Sequence, residues 1–227
     1  MDAITLQEIP FQINTAELVK KLHIRPESDL AADLGRLVEQ AHALGRPKAL
    51  YKAAYIDERD GDQVVIDGIG FTSRVLRVNL DQVGRVFPHV ATCGAELQEW
   101  ADGIDDMLQN YWAESIKEVA LRAARDALID HLSSTYRLGQ TAVMAPGSLE
   151  DWPIEQQRPL FTLLGDTQAA IGVRLTDSML MIPTKTVSGI RFPTEHTFES
   201  CMLCPREVCT NRRAPHQPDL YKEKYSH

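Results

Sequence analysis

Between Asp29 and Leu44 the apolar residues Leu30, Leu34, Val38, Ala41 and Leu44 recur every three or four positions, which places them on one face of a helix. Ser28 or Asp29 stands where an N-cap is needed, and Gly45 followed by Pro47 supplies the stop. Upstream, residues 8–22 predict an extended segment running into a short helix capped by Asn14 or Thr15. From residue 49 to 91 the period shortens. Apolar, β-branched runs at 50–56, 64–66, 75–78 and 86–91, separated by charged turns and Asp60-Gly61, predict strands of a mostly antiparallel sheet. Residues 95 to about 132 return to helical spacing, with a break near 103–106. There Ile116, Val119, Ala120, Ala123, Ala127 and Leu128 form an alanine-rich face suited to close packing on a sheet.

The second half is less regular. Residues 145–157 predict a loop entering a helix, with Asp151 as cap, Pro153 in the first turn, and Pro159 kinking or restarting it. Three short apolar runs follow at 173–176, 180–183 and 187–190. From Phe192 onward the chain is polar and proline-containing and carries three of its four cysteines, so it predicts a tail held by something other than apolar burial. The fold expected is α+β: a single domain, residues 1–192, in which a twisted, mostly antiparallel sheet packs against helices. Residues 1–45 form its helical N-terminal part, and residues 193–227 a cysteine-containing tail.

Composition narrows the function. In 227 residues, 44% are hydrophobic and 25% charged, ordinary values for a chain that folds around its own core. The net charge of −8 argues against nucleic acid, whose phosphates call for a basic face. The chain shows neither a run of about 20 apolar residues nor the basic and apolar regions of a signal peptide, so no membrane partner and a cytoplasmic location are expected. Four cysteines are too few for a disulfide scaffold, and in a reducing compartment clustered thiols point to metal ligation or redox chemistry.

Cys201, Cys204 and Cys209 are the densest chemical signal. Two thiols separated by two residues can face one metal, and a third nearby can close the loop around it. Cys93, beside Gly94 at the start of a helical stretch, is the candidate fourth ligand, with His216 in reserve. An Fe–S cluster and a structural zinc use the same ligand types, and spacing does not choose between them. Reduced surface thiols, and for Cys93 a small buried hydrophobe, are the bland alternatives. Arg206, Arg212 and Arg213 are placed to neutralise an anionic cluster, to contact a phosphate, or simply to be solvated. The seven histidines show no motif spacing with a serine or an acid.

The string Leu175-Thr-Asp-Ser-Met-Leu-Met-Ile-Pro-Thr-Lys-Thr-Val-Ser-Gly189 resembles a segment of the activation domain of cobalamin (vitamin B12)-dependent methionine synthase, with the pattern Leu-Thr-Glu-Ser, Met, Pro, then Ser-Val-Ser-Gly. Ala145 and Gly147 match the alanine and glycine of that family's Arg-x-Ala-x-Gly-Tyr loop, and the helix at 113–132 fits its preceding long helix. The resemblance covers roughly residues 113–190. It implies a domain that caps a corrinoid and presents S-adenosylmethionine to cob(I)alamin made by one-electron reduction. Met181, Pro183, Thr184, Val187, Ser188 and Gly189 would then face the corrinoid, the last two letting backbone approach the macrocycle. Asp126, Ala145 and Gly147 would be the S-adenosylmethionine contacts.

Two departures count against that methyl donor. Val143 replaces the loop arginine, which would hold a carboxylate, and Ser148 replaces the loop tyrosine. The family's last strands and tyrosine give way to the cysteine tail. The resemblance thus implies reactivation or maintenance of a corrinoid protein such as a stand-alone methionine synthase, the chain serving as its reductive activation component. Cys93, Cys201, Cys204 and Cys209 would carry a [4Fe-4S] cluster supplied by a low-potential electron donor, because zinc has no redox range to offer. The alternatives are a zinc-stabilised docking module and an S-adenosylmethionine-binding reductive-methylation domain.

Overall fold

Strand β6 (Arg85–Thr92), eight residues of which seven are buried, is the axis of the molecule in this computed structural model, which describes residues 2–226. One edge of β6 pairs with β2 (Lys48–Tyr51) and, further along, with β3 (Ala54–Asp60). Its other edge pairs with β10 (Thr186–Pro193), which pairs in turn with β7 (Thr141–Met144). β1 (Ile4–Leu6) extends the sheet beyond β2, and β4 (Gln63–Ile66) with β5 (Ile69–Thr72) extends it beyond β3. Among the described residues every pairing is antiparallel, the sheet has eight strands, and β8 (Arg174–Leu175) with β9 (Met181–Ile182) forms a separate small hairpin.

Strand alternation sorts the core into two faces. Val86 and Val90 look towards α6 (Gln157–Leu164), α7 (Thr167–Ile171) and Trp152, in a cluster that includes Phe71, Leu160 and Phe192. Phe87 and Ala91 look the other way, onto Ala124, Leu128 and Leu132 of α5 (Met107–Tyr136). A third cluster joins the first half of α5 to α1 (Thr15–Lys21), α2 (Asp29–Leu44) and α4 (Ala95–Asp102). Among the described residues no helix is long and apolar enough to cross a membrane.

The caps at Asn14 and Ser28 and the break between α4 and α5 form as the pattern predicts, each cap side chain accepting an amide of the first turn. Three expectations are corrected. Residues 75–78 are not a strand but part of α3 (Arg74–Asn79): the Ser73 hydroxyl accepts the Leu76 amide at 3.0 Å. Asp151 caps this same helix by accepting the Val75 amide at 3.0 Å, rather than opening its own. A 3-10 turn, Ile154–Gln156, precedes α6, and Pro159 falls in the first turn of α6, where no amide is required.

The tail is the third correction. Phe198 and Tyr225 are buried in the main core, with Leu203 and Leu220 packed against it. The last helix, α8 (Leu220–Tyr225), brings the Tyr225 hydroxyl to Asn79 Oδ1 at 3.0 Å, while Arg74 Nε donates to the Tyr225 carbonyl at 3.1 Å. Apolar burial therefore does hold residues 193–226, and no metal staple is needed to explain their order.

Candidate functional site

Within the string 175–189, residue 175, residues 181–182 and residues 186–189 are strand. Residues 183–185 turn the chain from β9 into β10, opening at a cis Ile182–Pro183 peptide. Thr184 donates its amide to Gln98 Oε1 at 2.9 Å, and Thr186 donates its hydroxyl to the Pro183 carbonyl at 2.7 Å. From below, the fully buried Lys117 of α5 reaches Gln98 Oε1 at 2.9 Å, Thr184 Oγ1 at 3.1 Å and Glu114 Oε1 at 2.5 Å. The turn is thus fixed to α4 and α5. Leu180 and Thr184 are exposed, Met181 and Val187 half-buried, and Pro183, Ser188 and Gly189 buried.

Gly189 has a different role from the one its smallness suggested. It sits in β10 opposite His89, and a Cβ there would lie 2.6 Å from the Met144 carbonyl oxygen. Its missing side chain lets β7 approach β10, so it is a sheet-packing glycine and not part of a loop over a macrocycle.

Along β7, a cleft of about 470 Å³ opens between β10, α5 and the tail. Val143, Ala145 and Ser148 line it, so the loop matching the Arg-x-Ala-x-Gly-Tyr pattern does border a cavity. Gly147 borders a second cavity of about 740 Å³, walled by Ile154, Leu203, Cys204 and Tyr221, and Ser148 contributes to both. Asp126 contributes to neither; it lies on the outer face of α5, its side chain 58% exposed, 3.9 Å from Arg125.

Three guanidinium groups that no motif announced as a set line the smaller cleft: Arg125 from α5, Arg191 from β10 and Arg213 from the tail. Arg191 donates to the Thr141 hydroxyl at 2.7 Å, but its buried Nε has no partner, and neither has the buried hydroxyl of Ser188. Burial, and then the charge of Arg125, lowers the pKa of Arg191. Arg213 lies 3.1 Å from Glu199, an ion pair not aligned as a hydrogen bond. His89 borders the same cleft with its Nδ1 3.0 Å from the Phe87 carbonyl, which makes Nδ1–H the donor. Burial pushes its pKa down to about 4, so the ring is neutral at pH 7.

The cysteines are not assembled as the spacing predicts. Cys93 is fully buried among Leu97, Trp112 and Ile116, in the helical cluster, whereas the tail packs on the opposite core. Burial pushes its thiol up to about 12, the behaviour of a small hydrophobe rather than a thiolate ligand. Cys201, Cys204 and Cys209 are half-buried and free, and Cys204 walls the larger cavity. Among the described residues no group of three or more His, Cys, Asp or Glu side chains is placed to hold a metal ion. His216 therefore completes no site either. The residues present do not fit a [4Fe-4S] cluster or a tetrahedral zinc held by Cys93 and the tail.

Sequence reasoning missed Arg125, Arg191 and His89 because they come from a helix and two strands with no shared spacing. The chain's one trace of them is Arg191, a basic residue between the apolar Ile190 and Phe192.

No family model matches the chain, and no curated protein matches it in sequence. Among solved structures the chain is similar to the crystal structure of the MetH reactivation domain bound to AdoHcy, with a TM-score of 0.58 and 13% identity over 88% of this chain and 81% of that one. The chain has the fold of that domain: a mixed α/β unit with a mostly antiparallel sheet and helices on its faces.

Proposed function

We propose that this protein reactivates or maintains a corrinoid protein, such as a cobalamin-dependent methionine synthase, by docking over the cofactor with the turn between β9 and β10. What carries the proposal is a coincidence of two likenesses: the fold is that of the MetH reactivation domain along 88% of the chain, and the string 175–189 builds the turn that α4 and α5 clamp. A rigid turn suits the role, because ordering a loop on docking would cost conformational entropy that Lys117 and Gln98 have already removed. Leu180 and Met181 offer apolar surface and Thr184 a polar group to the face of a flat macrocycle.

The electron that reduces an inactive corrinoid comes, in this proposal, from a separate low-potential donor, since the cysteines do not converge on a cluster site. S-adenosylmethionine is not assigned to the chain: Val143 offers no bidentate partner for its carboxylate at the position where the family's arginine would stand. A zinc-stabilised docking module fails on the same cysteine geometry.

The test is titration of the full chain into a cobalamin-loaded methionine synthase lacking its own reactivation region, followed by the visible spectrum of the corrinoid and by calorimetry. A saturable spectral change is expected, abolished by Leu180→Asp and Thr184→Arg. Absence of both binding and spectral change would overturn the proposal.

A further inference from the structure

We infer that Cys201 and Cys204 form a dithiol that exchanges with a low-molecular-weight disulfide, Cys201 attacking it and Cys204 then closing an internal disulfide. The inference stands apart from the corrinoid proposal. Among the described residues no three ligand side chains converge on a metal, but a disulfide needs only two thiols, and both of these are free and half-buried. The backbone brings them together. The Leu203 amide donates to the Ser200 carbonyl at 3.1 Å and the Cys204 amide to the Cys201 carbonyl at 3.3 Å, two successive bonds of 3-10 type. Such a turn sets its first and fourth residues on one face, their Cα atoms less than about 7 Å apart, and a disulfide spans about 4.4–6.8 Å between Cα atoms.

One guanidinium holds both ends of this turn. Arg212 Nη1 donates to the Cys201 carbonyl at 3.1 Å and Nη2 to the Cys204 carbonyl at 3.3 Å, so little backbone freedom remains to be lost when the sulfurs join. Cys209 lies outside the turn, its carbonyl accepting the Arg212 amide at 3.3 Å, and Cys93 belongs to the helical cluster. The order of attack follows from the Arg213 amide, whose nitrogen is 3.5 Å from Cys201 Sγ and lowers the pKa of that thiol, so Cys201 supplies the thiolate that disulfide exchange requires. Its sulfur breaks the substrate's S–S bond, forming a mixed disulfide and releasing one thiolate. The Cys204 thiolate then attacks Cys201 Sγ and releases the second. The two cysteines give up two electrons and two protons, and the substrate leaves as two thiols. A half-buried sulfur suits a slender disulfide, such as that of glutathione, better than one held in a folded protein.

The test equilibrates the full reduced chain with mixtures of reduced and oxidised glutathione in the presence of a chelator, quenches with acid, alkylates free thiols in denaturant and maps the peptides by mass spectrometry. A Cys201–Cys204 disulfide is expected, its fraction rising with the oxidised share of glutathione while Cys93 and Cys209 stay reduced. In Cys204→Ser one glutathione should remain on Cys201, and in Cys201→Ser both the adduct and the internal disulfide should be lost. Arg212→Gln should let the adduct build up with Cys204 still present, because closure slows once the turn is released. Glutathione carried by Cys204 or Cys209 in preference to Cys201, or no internal disulfide at any glutathione ratio, would overturn the inference.

Discussion

Lys117 Nζ and Thr184 Oγ1, 67 positions apart in the chain, lie 3.1 Å from each other beneath the turn that leads into β10. The lysine is fully buried and meets Glu114, Gln98 and Thr184 together, so a single side chain ties helix α5 to helix α4 and to the turn. Lys117→Ala should cost about 2–4 kcal/mol in urea unfolding, because it leaves a cavity as well as unpaired polar groups. Glu114→Gln should cost less, about 1 kcal/mol, since the lysine retains two partners and the carboxylate is 34% exposed. Amide exchange at Thr184 should accelerate in the Lys117 variant; unchanged exchange would show that the turn is held by something else.

The order of the tail makes a second prediction. Phe198→Ala and Tyr225→Ala should each lower stability by about 3–5 kcal/mol, as truncation of buried aromatic side chains does. Replacing Cys201, Cys204 and Cys209 together by serine should leave it within about 1 kcal/mol, and a chelator should leave the melting temperature unchanged. A melt that collapses with chelator as it does in the triple variant would restore the metal staple.

How far the fold was legible follows from these same residues. Helices α1, α2 and α5 have caps and apolar faces that are local features, and α4, which has no side-chain cap, is legible from its helical spacing alone. α3 did not: Val75 and Val78 read as a β-branched run, and the groups that make it helical are Ser73 and an aspartate more than 70 positions away, Asp151. Strand β5 was missed although Asp67-Gly68 precedes it, both with positive φ as a tight hairpin turn requires. The 175–189 string includes the turn into β10, but Gly189, which the resemblance would set against a macrocycle, lies within β10 against the Met144 carbonyl. The cysteine site failed for a physical reason: spacing tells which thiols can converge, while burial decides whether they do, and Cys93 belongs to a different core. The arginine cleft was illegible because sheet register, not sequence spacing, brings Arg191 beside Val143.

Thiol chemistry separates the four cysteines. The Arg213 amide, whose nitrogen is 3.5 Å from Cys201 Sγ, together with that arginine's charge, pulls the Cys201 thiol below its ordinary value, while burial pushes that of Cys93 up to about 12. With iodoacetamide near pH 7, Cys201 should therefore be alkylated before the others in the folded chain, and Cys93 only in denaturant. Peptide mapping by mass spectrometry reads the order directly. Early labelling of Cys93 would mean that the helical cluster around it opens readily.

His89 sets a pH limit on stability. Its usual pKa of 6.5 falls to about 4 in the fold, chiefly because burial excludes the charged ring. Above pH 6.5 the ring is neutral in both folded and unfolded chains and contributes nothing to the pH dependence. As pH falls from about 6.5 towards 4, the unfolded chain takes up a proton that the folded chain refuses, so stability declines. The loss is complete below about 4 and amounts to on the order of 3 kcal/mol. Between pH 6.5 and 5, before most carboxylates titrate, urea midpoints of the wild type should drop, and the slope should flatten in His89→Gln whatever that variant's absolute stability. A wild-type slope equal to that of the variant would show that His89 is protonated without unfolding the cleft.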